Sequence, residues 1–282
     1  MTMKIAVMTD STAYIPADVR KHHDIHMIPL SVVFDNETYQ EEIDITTEEF
    51  YNKMREVEEL PTTSQPSFGL ITTKLEELAA EYEAVISVHL SSGISGTCQA
   101  VISAGEMVEG IDVYAFDSEI SCMAQGFYAL EAAEMAKENK SPEEIISRLD
   151  EMKQSMRAYF MVDDLTNLHR GGRLNGAQAL LGGLLQIKPV LHFEDKVIIP
   201  YEKIRTRKKA LNRITGMLEE DAAKGKELKV AIIHANSEQT ALDIQRDLIE
   251  KYPSMETTIS YFGPVIGTHL GEGAVGICWY HK

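Results

Sequence analysis

At 282 residues, with 44% hydrophobic and 25% charged residues, the chain is long enough for one large domain or two ordinary ones, and too apolar to be disordered. Its 27 Lys and Arg face 44 Asp and Glu, a net charge of −17, which argues against nucleic acid and leaves at most transient contact with a membrane surface. Three cysteines without C-x-x-C spacing argue against a disulfide framework or a thiolate metal site and fit a reducing cytoplasm.

Residues 4–9 are a short apolar run that starts without a signal peptide and breaks at Asp10-Ser11-Thr12; Pro16 then opens a helical stretch. Residues 26–34 are a second strand candidate, and Thr46-Thr47-Glu48-Glu49 caps a helix that runs to Val57. Residues 61–66 are predicted as a loop, followed by an amphipathic helix carrying Leu70, Leu75, Leu78 and Ala79. A strand over 84–88 leads into a helix through Cys98, Val101 and Ile102, and a strand over 111–116 follows. After Ser121 a helix runs to Asn139, and Ser141-Pro142-Glu143-Glu144 starts another. Strands alternating with helices imply a mainly parallel, doubly wound sheet.

The second half reads differently. A strand over 158–162 precedes two short helices around a glycine-rich centre, Arg170-Gly171-Gly172-Arg173 and Gly182-Gly183. Residues 188–204 form a hairpin that turns at Glu194-Asp195-Lys196. Helices from Thr206 and Ser237 and strands over 228–234, 257–262 and 274–280 complete the chain. The expected fold class is therefore α/β in two domains, residues 1–155 and 156–282, with a mainly parallel sheet in the first and a mixed sheet in the second.

The most informative segment is residues 89–97, H-L-S-S-G-I-S-G-T, at a strand-to-helix junction. Free N–H groups and the positive helix end favour an anion there, and Ser92, Ser95 and Thr97 add neutral donors beside the permissive Gly96. The loop Pro61-Thr62-Thr63-Ser64-Gln65-Pro66-Ser67 is stiffened by two prolines; by itself it reads more readily as a helix cap by Ser64 or Ser67, and its chemical likeness to the 91–97 turn raises the functional reading. Gly263, Gly267, Gly271 and Gly273 surround one histidine, His269, and read as an irregular ligand wall or a tight loop. His22, His23 and His26 lack carboxylates at metal-ligand spacing, so no metal is expected. Two basic spots, one with His169, Arg170 and Arg173 and one with Lys203, Arg205, Arg207, Lys208 and Lys209, point to an acidic or phosphate-bearing partner. The apolar run 179–187 reads as core or as the wall of a lipid tunnel.

With these motifs in place the chain resembles the DegV family, whose members serve as the fatty-acid-binding subunit of bacterial fatty acid kinase. The resemblance spans essentially the whole chain. It rests on Thr9-Asp10-Ser11-Thr12-Ala13, Thr63-Ser64-Gln65-Pro66-Ser67, Ser91-Ser92 with Ser95-Gly96-Thr97, Gly171-Gly172-Arg173-Leu174, Lys188-Pro189-Val190-Leu191 and Gly267-Thr268-His269. It implies a long acyl chain, palmitate- or oleate-like, buried between two α/β domains, with its carboxyl held by Thr63, Ser95 and His269. Ser64, Ser92, Gly96 and Thr97 would support that site. It further implies no cofactor and no catalytic residue of its own. A separate ATP-binding kinase subunit would dock near Arg170, Arg173 and Arg205 and phosphorylate the bound acid, a step in phospholipid metabolism. One departure is Gly271-Glu272-Gly273, where the family usually shows G-P-G.

A serine hydrolase is the alternative. Gly93-Ile94-Ser95-Gly96-Thr97 falls one residue short of G-x-S-x-G, and Ser95, Asp243 and His269 follow the α/β-hydrolase order. Thr97 stands where the elbow needs glycine. A nucleotide-binding module ranks lower, because it lacks a Walker lysine and a G-x-G-x-x-G at the first strand-helix junction.

Overall fold

The computed structural model describes residues 3–174 and 187–282. The first elements are β1 (Ile5–Asp10), a 3-10 turn (Ser11–Ala13), α1 (Ala17–His22), β2 (Ile25–Ile28), β3 (Ser31–Phe34), β4 (Glu37–Gln40), α2 (Thr47–Glu56) and β5 (Thr62–Ser64). They continue with α3 (Phe68–Ala79), β6 (Ala84–His89), α4 (Thr97–Gly105), β7 (Asp112–Asp117), α5 (Cys122–Lys137) and α6 (Pro142–Ser155). Then come β8 (Arg157–Met161), α7 (Thr166–Arg170), β9 (Val190–Glu194), β10 (Val197–Glu202) and α8 (Arg207–Ala222). The last are β11 (Leu228–His234), α9 (Glu238–Lys251), β12 (Glu256–Tyr261), α10 (Pro264–Leu270) and β13 (Val275–His281).

Three sheets result. A parallel sheet has the order β2-β1-β6-β7, a mixed one β10-β9-β8-β13-β11-β12, and a small antiparallel one β4-β3-β5. The expected α/β class, parallel first and mixed second, is what the chain forms. The central strands β1, β6, β11 and β13 are buried on both faces, which is why they read as continuous apolar runs. On β1, Ala6 and Met8 pack with Ile71, Leu75 and Val101 of α3 and α4, while Val7 faces the central core. On β11, Val230 and Ile232 pack with Ile214 and Leu248 of α8 and α9, while Ala231 and Ile233 face the same central core.

The element that fills that core is α5. Eleven of its residues, including Met123, Phe127 and Tyr128, are buried, because it lies between the two large sheets and presents apolar side chains all round. Capping boxes at Thr46–Glu49 and Ser141–Glu144 start α2 and α6 where the sequence placed them. The hairpin of β9 and β10 pairs Glu194 with Val197, as expected. No helix of the described residues is long and apolar enough to cross a membrane.

Three readings are corrected. Residues 26–34 are two strands in different sheets: β2 pairs with β1, whereas β3 pairs with β4 and β5. Pro29, with no N–H and a fixed φ, separates them. Part of the 61–66 loop is β5, because the free edge of β3 recruits Thr62 and Thr63, β-branched residues suited to a strand. Residues 263–273 are no irregular wall: they hold α10, with Pro264 in its first turn and Gly271 (φ 76°) at its end. The second short helix expected near Gly182-Gly183 and most of the apolar run 179–187 lie outside the described residues.

Candidate functional site

An apolar cavity lies between the start of α5 and the inner face of the mixed sheet. Ile120, Ser121, Cys122 and Ala124 line one side, and Phe160, Phe193, Ile198, Ile233, Phe262 and Cys278 line the other. Its polar lining is sparse, and Arg173 and His269 belong to it. The same two residues also line a separate open groove with Thr63, Arg170, Gly171, Asn167, Glu58 and Glu59. His269 and Arg173 therefore stand at the junction between a greasy interior and a polar mouth.

Local structure explains the convergence. Strand alternation on β5 turns Thr63 toward the C-terminal half and sends Thr62 and Ser64 outward, where both are exposed. Thr63 Oγ1 lies 2.8 Å from His269 Nε2, a hydrogen bond between residues 206 apart in sequence. His269 is 8% exposed, and its Nδ1 has no partner among the described residues. Burial, together with the positive charge of Arg173, pulls its pKa down to about 4, so the ring is neutral at pH 7. A Cβ on Gly171 would fall 2.2 Å from His269 Nδ1, so only glycine lets the α7 loop approach the ring.

Arg173 joins the two halves. Its Nε donates to Ile94 O at 3.2 Å and its Nη1 to Gly171 O at 2.6 Å. Ser95, next to Ile94, makes no hydrogen bond to Thr63 or His269; its Oγ lies 2.9 Å from Thr97 Oγ1 and accepts from Thr97 N at 3.3 Å. Gly96 caps α4 and touches Gln65 of the threonine loop, so the two hydroxyl-rich segments do meet. Ser92 is turned away: its Oγ donates to Asp117 Oδ2 at 2.5 Å. Arg170 lines the groove, whereas Arg205 is an exposed residue that lines neither cavity nor groove. Glu272, the departure from the family pattern, pairs with Arg55 of α2 and accepts from Asn236 Nδ2 at 2.7 Å, tying the end of α10 to the N-terminal half.

The hydrolase constellation is not assembled. Asp243 accepts from Gln239 Nε2 at 3.1 Å and pairs with Arg246 at 3.0 Å on α9, and among the described residues no carboxylate is bonded to His269. A Ser–His–Asp chain exists elsewhere: Ser87 Oγ lies 2.6 Å from His89 Nε2, and His89 Nδ1 donates to Asp10 Oδ2 at 3.0 Å. All three residues are fully buried beneath the parallel sheet's end and line none of the cavities described above.

Sequence reasoning missed the apolar lining, because Phe193, Ile198 and Cys278 look like ordinary strand residues. It also missed Glu41, which stands outside every motif; it alone is buried in an otherwise exposed or half-buried stretch, and nothing in the local sequence marks it.

Fold and site together define an α/β protein with two large sheets, an apolar cavity between them and a neutral histidine where that cavity meets an open groove. The chain belongs to the DegV family, described as uncharacterised, whose profile matches residues 4–282. It is 60% identical to Protein DegV of Bacillus subtilis over 281 residues, covering 99% of this chain and all of that one. The crystal structure of that DegV, described as a fatty acid binding protein, superposes with a TM-score of 0.95 over 99% of this chain and all of that chain. A fatty acid binding DegV family protein from Streptococcus agalactiae, 34% identical, gives a TM-score of 0.91 over 99% of each chain.

Proposed function

We propose that the protein is a fatty-acid-binding carrier. It buries the tail of a long-chain fatty acid, palmitate- or oleate-like, in the cavity between its two units, residues 1–155 and 156–282. It presents the carboxyl at the mouth to a separate ATP-binding kinase subunit. The observation that carries this reading is the cavity itself: predominantly apolar in its lining, with His269 and Arg173 shared between it and the outer groove. The fatty acid binding described for the relatives supports it.

The energetics follow from the lining. Each buried methylene contributes about 0.8 kcal/mol, so roughly fifteen supply on the order of 12 kcal/mol before ordering costs. Affinity comes from the tail, and the head-group site has only to orient the carboxyl. Thr63 and the unpartnered Nδ1 of neutral His269 offer hydrogen bonds there, and the Ser95 turn adds a hydroxyl. Two of Arg173's donors are already committed to carbonyls, so it supplies positive field more than a bidentate clamp. Such a site tolerates the change from carboxylate to acyl phosphate. The groove with Arg170 is the approach for the kinase subunit, which enters this reading through the family resemblance; Arg205 would act at a distance from the mouth.

Native mass spectrometry of the freshly purified protein, followed by organic extraction, tests the binding step. A stoichiometric long-chain fatty acid is the expected result. An empty protein that also fails to take up palmitate or oleate would overturn it. For presentation, Ser95→Ala should slow turnover by the kinase more than it weakens fatty-acid binding; equal loss of both would remove Ser95 from that role.

A further inference from the structure

We propose that Glu41 is the positioning residue of the head-group site: from the N-terminal half it grips the first turn of α10, and through that helix it sets where His269 stands against Thr63. The inference rests on the fatty-acid reading and adds a control to it.

Glu41 is wholly buried between β4 and α2, far from the cavity motifs in sequence. Its carboxyl accepts from Ser11 Oγ at 2.6 Å, Tyr14 Oη at 2.7 Å and Val265 N at 2.8 Å. Tyr14 Oη in turn accepts from Ile266 N at 3.1 Å. The first free N–H groups of α10 are thus satisfied by the other half of the molecule, because the helix has no side-chain cap of its own. The contact is tight: a Cβ on Gly263 would lie 2.4 Å from the Tyr14 ring and 3.0 Å from Glu41 Oε1.

Val265 and His269 are four residues apart and share a helix face, so a shift at the first turn carries directly to the imidazole. A seven-residue helix has little rigidity beyond its contacts, and α10 is buried along its whole length. The groups around Glu41 are Ser11, Tyr14, Tyr51, Tyr261, Cys122 and the neighbouring Glu42, itself paired with Arg20. No cation touches Glu41 among the described residues. Burial therefore lifts its pKa to about 7, against the pull of its three donors. The ionised carboxylate accepts all three hydrogen bonds; once protonated, one oxygen becomes a donor and the grip on Tyr14 and Val265 loosens. Head-group affinity then falls as pH drops through neutrality.

The test measures two quantities between pH 6 and pH 8.5 in wild type and Glu41→Gln. One is the ¹⁵N shift of the His269 ring in the ligand-free protein; the other is oleate affinity by displacement of a fluorescent fatty acid. In wild type the ring shifts should inflect near pH 7, although the ring's own protonation lies near 4. Oleate affinity should fall about five-fold on acidification, the effect of one weakened helix cap. Glu41→Gln should abolish both changes. Identical ring-shift profiles in the two proteins would overturn the proposal, even if the variant has a lower Tm, since that alone would mark a purely structural residue. If the inflection is lost in the variant but neither protein binds oleate, the positioning role stands and the fatty-acid reading fails.

Discussion

His89 and His269 are both buried, and their surroundings could hardly differ more. His89 is held at both nitrogens, by Ser87 and Asp10, and Asp10 takes further hydrogen bonds from Thr12 and from Leu90 N. Burial alone would raise the Asp10 pKa, yet these donors hold it below the usual carboxylate value. Gln125 of α5 closes the network by donating to Thr9 and accepting from Thr12. Among the described residues His269 has one partner, no partner at Nδ1, and a cavity beside it. A closed, fully paired network is scaffold, because each group left unpaired would be a cost. A half-paired ring at the end of an apolar cavity keeps hydrogen-bonding capacity for something else.

The contrast predicts opposite effects of substitution. The largest is expected at Asp10→Ala, which strands His89 Nδ1–H and Leu90 N–H; it should cost about 3–5 kcal/mol in urea unfolding at pH 7. A loss below about 1 kcal/mol would erase the distinction between scaffold and site. His269→Gln should do the reverse, lowering oleate affinity about tenfold while changing stability by no more than about 1 kcal/mol.

Acid titration sharpens the same comparison. The His269 pKa is lowered to about 4 in the folded protein, so from pH 6.5 down to 4 the unfolded chain binds more protons and this residue's share of stability is lost. Glu41 has the opposite sign: raised to about 7, it takes up a proton first in the folded state, so its share is lost as pH rises from 4.5 to 7. Tm–pH curves of His269→Gln and Glu41→Gln should therefore diverge from wild type in opposite directions. Two smaller effects concern ties between the halves. Ser91 Oγ donates to Lys196 O at 2.7 Å, holding the β9–β10 turn, and Ser91→Ala should cost about 1 kcal/mol. Arg55→Ala breaks an exposed pair with Glu272 and should lower Tm least of all, an effect that disappears in high salt.

Much of this protein was legible along the chain. Alternating apolar runs and capped helices gave the order of most elements, since hydrophobic period and capping chemistry are local properties: Thr46 and Ser141 start their helices with partners three residues away. Thr63, Ser95 and His269 were singled out by residue type, and the structure joins two of them directly. Where the reading failed, the deciding partner lay far off in sequence. Thr62–Ser64 became a strand only because β3 offered an edge, and Ser64 and Ser92 were turned from the mouth by strand alternation and by Asp117. The run from Pro264 to Leu270 had its proline-first, glycine-last signature in view, but its many glycines suggested irregular backbone instead.

The sequence by itself determined the α/β class, the parallel and mixed character of the two sheets, and the hydroxyl and histidine chemistry of the candidate site. Only the tertiary structure decided that Phe193, Ile198 and Cys278 line a cavity rather than close on one another, and that Glu41 reaches α10 across more than two hundred residues. The physical reason is the range of the interactions. Propensity, capping and period act within a few residues and are written in the local sequence. Cavities and buried carboxylates are set by what the folded chain brings together.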